Sequence, residues 1–134
     1  MSSASTAPAK KVIVKGKTIE PRAMLSWARL RRAALAGCNL QQAILQGADL
    51  RQADLHNSNL SGARLSHAYL QGANLAGANL EYADLRWADL TGAQLKGASL
   101  ACARLEGAII ALEQLSAVSS LAGATLPDGS KQSR

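Results

Sequence analysis

From Ala23 to Ile110 the chain is written in units of five residues without a single insertion. Eighteen centres recur at every fifth position, all of them Leu from Leu25 to Leu105 and the last Ile110. Two residues before each centre stands Ala, replaced only by the equally small Cys38 and Ser58. A period of five fits neither the 3.6 of a helix nor the 2 of a strand, so each unit must form one side of a polygon that turns after every five residues. The chain is therefore expected to be a solenoid. Its interior must be narrow, with small and branched side chains filling layers in which a larger residue would overpack. The absence of Phe agrees with this.

Residues one full coil apart should stack and share the same conformational demands, and a lag of twenty gives the cleanest columns. The position two after the centre reads Gly37, Asn57, Gly77, Gly97 along one column. Gly and Asn best tolerate the positive φ of a turn. A second column reads Asn39, Asn59, Asn79, Ser99, the pattern expected of a stacked side-chain amide ladder. Four units then make one coil. At a strand spacing of ~4.8 Å, eighteen units build a rod of roughly 22 Å.

Units such as Ala48-Asp49-Leu50-Arg51-Gln52, Ala73-Asn74-Leu75-Ala76-Gly77 and Ala83-Asp84-Leu85-Arg86-Trp87 resemble the A(D/N)LXX pattern of the pentapeptide-repeat family. The resemblance covers about two thirds of the chain and implies a right-handed quadrilateral β-helix, an all-β solenoid. Members of that family differ widely in role, so the fold alone does not carry function across.

Four segments are expected. Residues 1–11, MSSASTAPAKK, read as a disordered basic tail. Residues 12–22 read as an N-terminal β cap turning at Gly16 and ending at Pro21. The β-helix follows over 23–110. Residues 111–134 read as a helical cap and tail, with Leu112, Leu115, Val118 and Leu121 recurring every third residue and Gly123 placed as the helix C-cap. The string from Leu115 to Gly129 also resembles the C-terminal caps of bacterial pentapeptide-repeat proteins, which implies a bacterial source. Nothing in the sequence reads as a membrane helix or a signal peptide, so a soluble, cytoplasmic protein is expected.

Cys38 and Cys102 fall more than three coils apart, beyond the reach of a disulfide, and are expected to be free thiols. With His56 and His67 on different sides, they form no recognisable metal site, and no cofactor is expected.

The net charge of +6 is unevenly placed. Residues 1–34 hold eight Lys or Arg and one acid, whereas residues 35–110 hold five bases and six acids. A rod imitating duplex DNA, the gyrase-protecting role known in the family, needs about one negative charge per ~1.7 Å. A nearly neutral rod does not supply it. The column Arg64, Asp84, Arg104 reads instead as a surface charge ladder.

Assigning outward positions by the same lag gathers Trp27, Arg29, Arg31, Arg32, Arg51, His67, Tyr69 and Trp87 along one corner. Trp, Tyr and Arg are the usual anchors of interfaces. A narrow solenoid offers no cleft, and no nucleophile stands with a base, so neither an enzyme nor a small-molecule substrate is expected. The leading reading is a rigid scaffold for an unidentified protein partner. The alternative is an anionic partner, nucleic acid or an acidic membrane surface, held at the basic N-terminal end through Lys10, Lys11, Lys15, Lys17 and the arginines. Self-association by stacking of coil ends is a third.

Overall fold

The computed structural model describes residues 12–133, so the expected tail, with Lys10 and Lys11, lies outside the described residues. The chain opens with strand β1 (Val12–Val14) and strand β2 (Lys17–Ile19), an antiparallel hairpin pairing Val12 with Ile19 and Val14 with Lys17. Lys15 and Gly16 both have positive φ, 51° and 76°, as a two-residue hairpin turn of matching twist requires. Val14 and Ile19 pack against the first coil.

The coil then rises on four faces, seen as four columns of parallel bridges at a lag of twenty. The first runs through Met24, Ile44, Arg64, Asp84 and Arg104. The second contains Arg29, Asp49, Tyr69, Asp89 and Ile109, the third Ala34, Asp54, Asn74 and Gln94, and the fourth Asn39, Asn59, Asn79 and Ser99. Each centre from Leu25 to Leu90 donates its N–H to the carbonyl nineteen residues ahead, as Leu50 does to Tyr69 at 2.8 Å and Leu65 to Asp84 at 2.7 Å, while Leu100 and Leu105 reach twenty ahead, to Ser120 and Thr125. Nearly every Leu centre and Ala slot is sealed from solvent. Burying one Leu contributes roughly 1.5–3 kcal/mol, so the axial leucine stack is the main stabilising element. Ser58 occupies an Ala slot with its hydroxyl buried and unpartnered. Cys38, one coil below, is half-buried, and burial pushes its thiol pKa up.

Every side closes with a turn in which the residue three beyond the centre donates back to it, as Ala28 does to Leu25 at 3.0 Å. Positive φ recurs every fifth residue at eighteen corners from Arg22 to Gly107, two beyond each centre from Leu25 to Leu105 and two beyond Glu20, and only eight of these are Gly. The demand expected for Gly37, Asn57, Gly77 and Gly97 is therefore general, and Trp27, Arg32, Gln42, Gln52, Tyr82 and Cys102 meet it too.

Asn39, Asn59 and Asn79 do stack, but not as an amide ladder. Each side-chain oxygen accepts the backbone N–H two residues ahead, from Gln41, Ser61 and Glu81. Asp49, Asp54, Asn74, Asp84 and Asp89 do the same. A short carboxylate or amide reaches an N–H two residues on, which gives the Asp/Asn preference a local cause.

After Ile110 the pattern changes less than the sequence suggests. Helix α1 covers only Leu112–Ala117, and its C-cap is Val118. Gly123 is not its cap: with φ 73° it sits in a further β-type corner. Ser120 and Thr125 bridge back to Ser99 and Arg104, a lag of twenty-one, so the coil resumes with one extra residue. Leu112 begins the helix 80% exposed. The third face is capped by the Gln114 amide, whose Nε2 donates to Leu90 O at 2.7 Å and Ala93 O at 2.9 Å. Its Oε1 accepts the Ala111 N–H at 2.7 Å.

Candidate functional site

The corner entering the second face carries Trp27, Gly47, His67, Trp87 and Gly107, one per coil, all at positive φ. Positive φ swings each side chain out over the next coil. The Trp27 ring lies where a Cβ on Gly47 would stand, and the Trp87 ring where one on Gly107 would stand. Each tryptophan is thus seated on a residue that has no side chain. His67 stacks on Trp87 with ring centroids 6.5 Å apart and planes 19° apart. Trp27 and Trp87 remain 63% and 57% exposed. An exposed indole held in place by its seat loses little freedom on binding, so more of its contact area becomes affinity.

Tyr69, 48% exposed, and Arg29 stand on the adjacent second face. Arg31 and Arg51 begin the next turn, and Arg32 ends it, its Nε donating to Gln52 Oε1 at 2.9 Å. The eight expected residues therefore do not share one corner. They span the second face, with Trp27, His67 and Trp87 along one edge, Tyr69 and Arg29 on the face itself, and Arg31, Arg32 and Arg51 along the other edge.

Their electrostatics differ. Arg51 grips Asp49 through Nε at 2.8 Å and Nη2 at 2.7 Å. That pairing holds the Asp49 carboxyl below its ordinary value and raises Arg51. Arg86 grips Asp84 in the same way at 2.9 and 2.8 Å. Burial pushes Asp84 up, but the Arg86 hydrogen bonds outweigh it and the net shift is downward. Arg64, Asp84 and Arg104 adjoin in one column, yet the ion pair forms inside the unit, so the expected charge ladder is replaced by a local clamp. His56 Nδ1 lies 2.6 Å from Asp54, whose carboxyl is lowered by that contact. Tyr82 lies on another corner, where its hydrogen bond with Cys102 raises its pKa.

Sequence reasoning missed the seats and the tethers. Both tryptophans are followed twenty residues later by Gly, a signal present in the sequence. Arg22 and Arg32 are followed at the same lag by Gln42 and Gln52, which accept from their Nε. Among the described residues, no group of three or more His, Cys, Asp or Glu is placed to hold a metal ion. Both cysteines are free, and no helix among the described residues is long and apolar enough to cross a membrane.

A family model described as pentapeptide repeats matches in 8 copies over residues 23–62, 58–97 and 88–110. No curated protein sequence gives a significant match. Among solved structures, a pentapeptide repeat protein of the Arabidopsis thaliana thylakoid lumen is 32% identical with a TM-score of 0.60, covering 68% of this chain and 63% of its own. HetL, a pentapeptide repeat protein involved in heterocyst differentiation regulation in the cyanobacterium Nostoc, is 32% identical over 84% of this chain and 61% of its own, with a TM-score of 0.37. The plasmid-mediated fluoroquinolone resistance protein QnrB1 is 27% identical over 66% of this chain and 55% of its own, with a TM-score of 0.45. The chain spans less than two thirds of the length of each.

Proposed function

The chain belongs to the pentapeptide-repeat family, and from that premise we propose that it is a non-enzymatic, rigid scaffold whose second face binds a protein partner. The coil is taken as right-handed, the hand the family resemblance implies. The observation that carries the reading is the aromatic edge: two exposed indoles seated over Gly47 and Gly107, with His67 stacked on one of them. Rings and guanidinium groups on opposite edges of a flat face, with Tyr69 and Arg29 between them, match the composition of interface hot spots. The backbone beneath is bonded coil to coil throughout, so little freedom is lost on docking.

Parallel quantitative pull-downs from source-organism extract test this. Trp87→Ala and Tyr69→Ala should lose a protein that wild type retains at high salt. Gln94→Ala and Lys96→Ala, on the third face and the corner that follows it, should retain it. Removing Arg29 and Arg31 should mainly slow association and flatten its salt dependence. If the third-face changes lose the protein and the second-face changes keep it, the surface has been misplaced.

A further inference from the structure

The N-terminal end of the rod combines two features, sharing Trp27, Arg29, Arg31 and Arg32 with the second face but adding residues that face does not contain. The first is exposed apolar surface. In the hairpin, Ile13 pairs with Thr18 on the side opposite Val12, Val14 and Ile19. It therefore faces away from the coil stack and is 63% exposed. Met24, on the opening strand of the first face, is 85% exposed, and Trp27 stands in the same coil. The second is unneutralised positive charge. Residues 12–34 hold Lys15, Lys17, Arg22, Arg29, Arg31 and Arg32 against the single acid Glu20.

The arginines here differ from those higher in the rod. Arg51 and Arg86 are clamped by carboxylates. Arg22 and Arg32 are held instead by the neutral amides of Gln42 and Gln52. Such a tether fixes the guanidinium without cancelling its charge, and its terminal nitrogens stay available for phosphate or carboxylate. Among the described residues, no Asp or Glu forms an ion pair with any of the six cations of this end. Asp49, the carboxylate whose charge reaches Arg31, is already taken by Arg51. Lys15 at the hairpin turn meets Arg31 and Arg32 around a common recess.

We propose that this end docks on an anionic lipid surface, with Ile13, Met24 and Trp27 entering the headgroup boundary and the six cations facing lipid phosphates and carboxylates. Apolar side chains ringed by unpaired cations are the composition that binds such surfaces. A nucleic acid would use the same cations but would gain little from Ile13 and Met24, which have no ring on which a base can stack. The opposite end also exposes apolar side chains, Ile109 and Leu112, but sits among Glu106, Glu113 and Asp128 and lacks this charge complementarity. The proposal shares Trp27 and three arginines with the protein-binding face, but the two readings are separable, since Trp87 and Tyr69 test that face and Ile13 and Met24 test this end.

The experiment is flotation of the full chain with phosphatidylcholine vesicles, with and without about one third phosphatidylserine. Binding should require phosphatidylserine and fall steeply with added salt. Each cation near such a surface contributes about fivefold, so Lys17→Gln, Arg22→Gln and Arg29→Gln together should weaken binding by roughly a hundredfold. The pair Ile13→Asp and Met24→Asp should weaken it at least tenfold with melting unchanged, while Leu112→Asp should leave it intact. In a Trp87→Phe background, emission from Trp27 should shift to the blue on anionic vesicles. Equal binding to pure phosphatidylcholine, or no blue shift, overturns the proposal. So does a single-stranded oligonucleotide that binds more tightly than the vesicles and is indifferent to Ile13→Asp and Met24→Asp, which would assign this end to nucleic acid.

Discussion

Gly97 and Gly107 have nearly the same backbone, with φ of 73° and 71°, but opposite surroundings. A Cβ on Gly97 would meet nothing within 4 Å, whereas one on Gly107 would enter the Trp87 ring. Gly97→Ala should therefore cost only the strain of a left-handed L-residue, about 1–2 kcal/mol. Gly107→Ala should cost the same strain plus displacement of an indole from its seat. A lost aromatic seat is comparable to a lost aromatic pair, about 0.5–1.5 kcal/mol beyond buried area, so the two substitutions should differ by about 1 kcal/mol. Urea unfolding followed by circular dichroism measures this as a difference in midpoint at constant slope. Repeating both in a Trp87→Ala background should remove the difference, since the ring is gone and only strain remains. The emission of Trp87 should change in Gly107→Ala and not in Gly97→Ala. If the two variants are equally destabilised in the wild-type background and Trp87 emission is unaffected, the indole is not seated on Gly107 and the rigid aromatic edge is wrong.

Leu75, wholly buried in the axial stack, should not tolerate Asp: Leu75→Asp leaves a charge without a partner in the core and should yield no soluble folded protein by circular dichroism. The carboxyls of Asp49 and Asp84 are lowered by Arg51 and Arg86, so their stabilisation is complete above the ordinary carboxylate value of 3.8 and is lost as pH falls through the lower folded values. Asp49→Asn with Asp84→Asn keeps the oxygen that caps each turn, and should flatten the fall of melting temperature in acid by a small amount, because both pairs are partly exposed. Purified protein should neither inhibit gyrase supercoiling nor rescue it from a quinolone, since Asp49, Asp54 and Asp84 are each in contact with Arg51, His56 or Arg86 and the rod lacks the negative density of a duplex. Rescue that persists without residues 1–11 would refute this.

The repeating interior was legible because Leu at every fifth position leaves only one way to bury a continuous core. The four-column register was legible for the same reason, since Asn39, Asn59 and Asn79 repeat at the lag at which they bridge. Corner conformation was legible only in part. Gly and Asn advertise positive φ, but Trp27, Arg32 and Gln52 are driven into it by N–H groups already committed to carbonyls of the next coil. The helix was overread because Leu121 has the right spacing for a helical face yet serves the resumed coil, where the Ala124 N–H donates to Leu121 O at 2.9 Å. Charge pairing was misread because columns draw attention to neighbours twenty apart. Asp49 and Arg51, or Asp84 and Arg86, flank a single turn and find each other first.

A four-sided coil with a five-residue side makes surface position a matter of arithmetic. Adding or deleting one unit would leave the interior intact, since Leu would still follow Leu, but it would rotate every later side chain by a quarter turn about the axis. Five residues inserted after Gly77, for example, would carry Trp87 to the next corner and away from His67, splitting the aromatic edge with no damage to the core. Twenty residues inserted at the same place would lengthen the edge and keep its parts aligned. Lineages of such a rod can therefore change length freely in whole coils, whereas a change of one, two or three units rewrites what the rod presents to its surroundings.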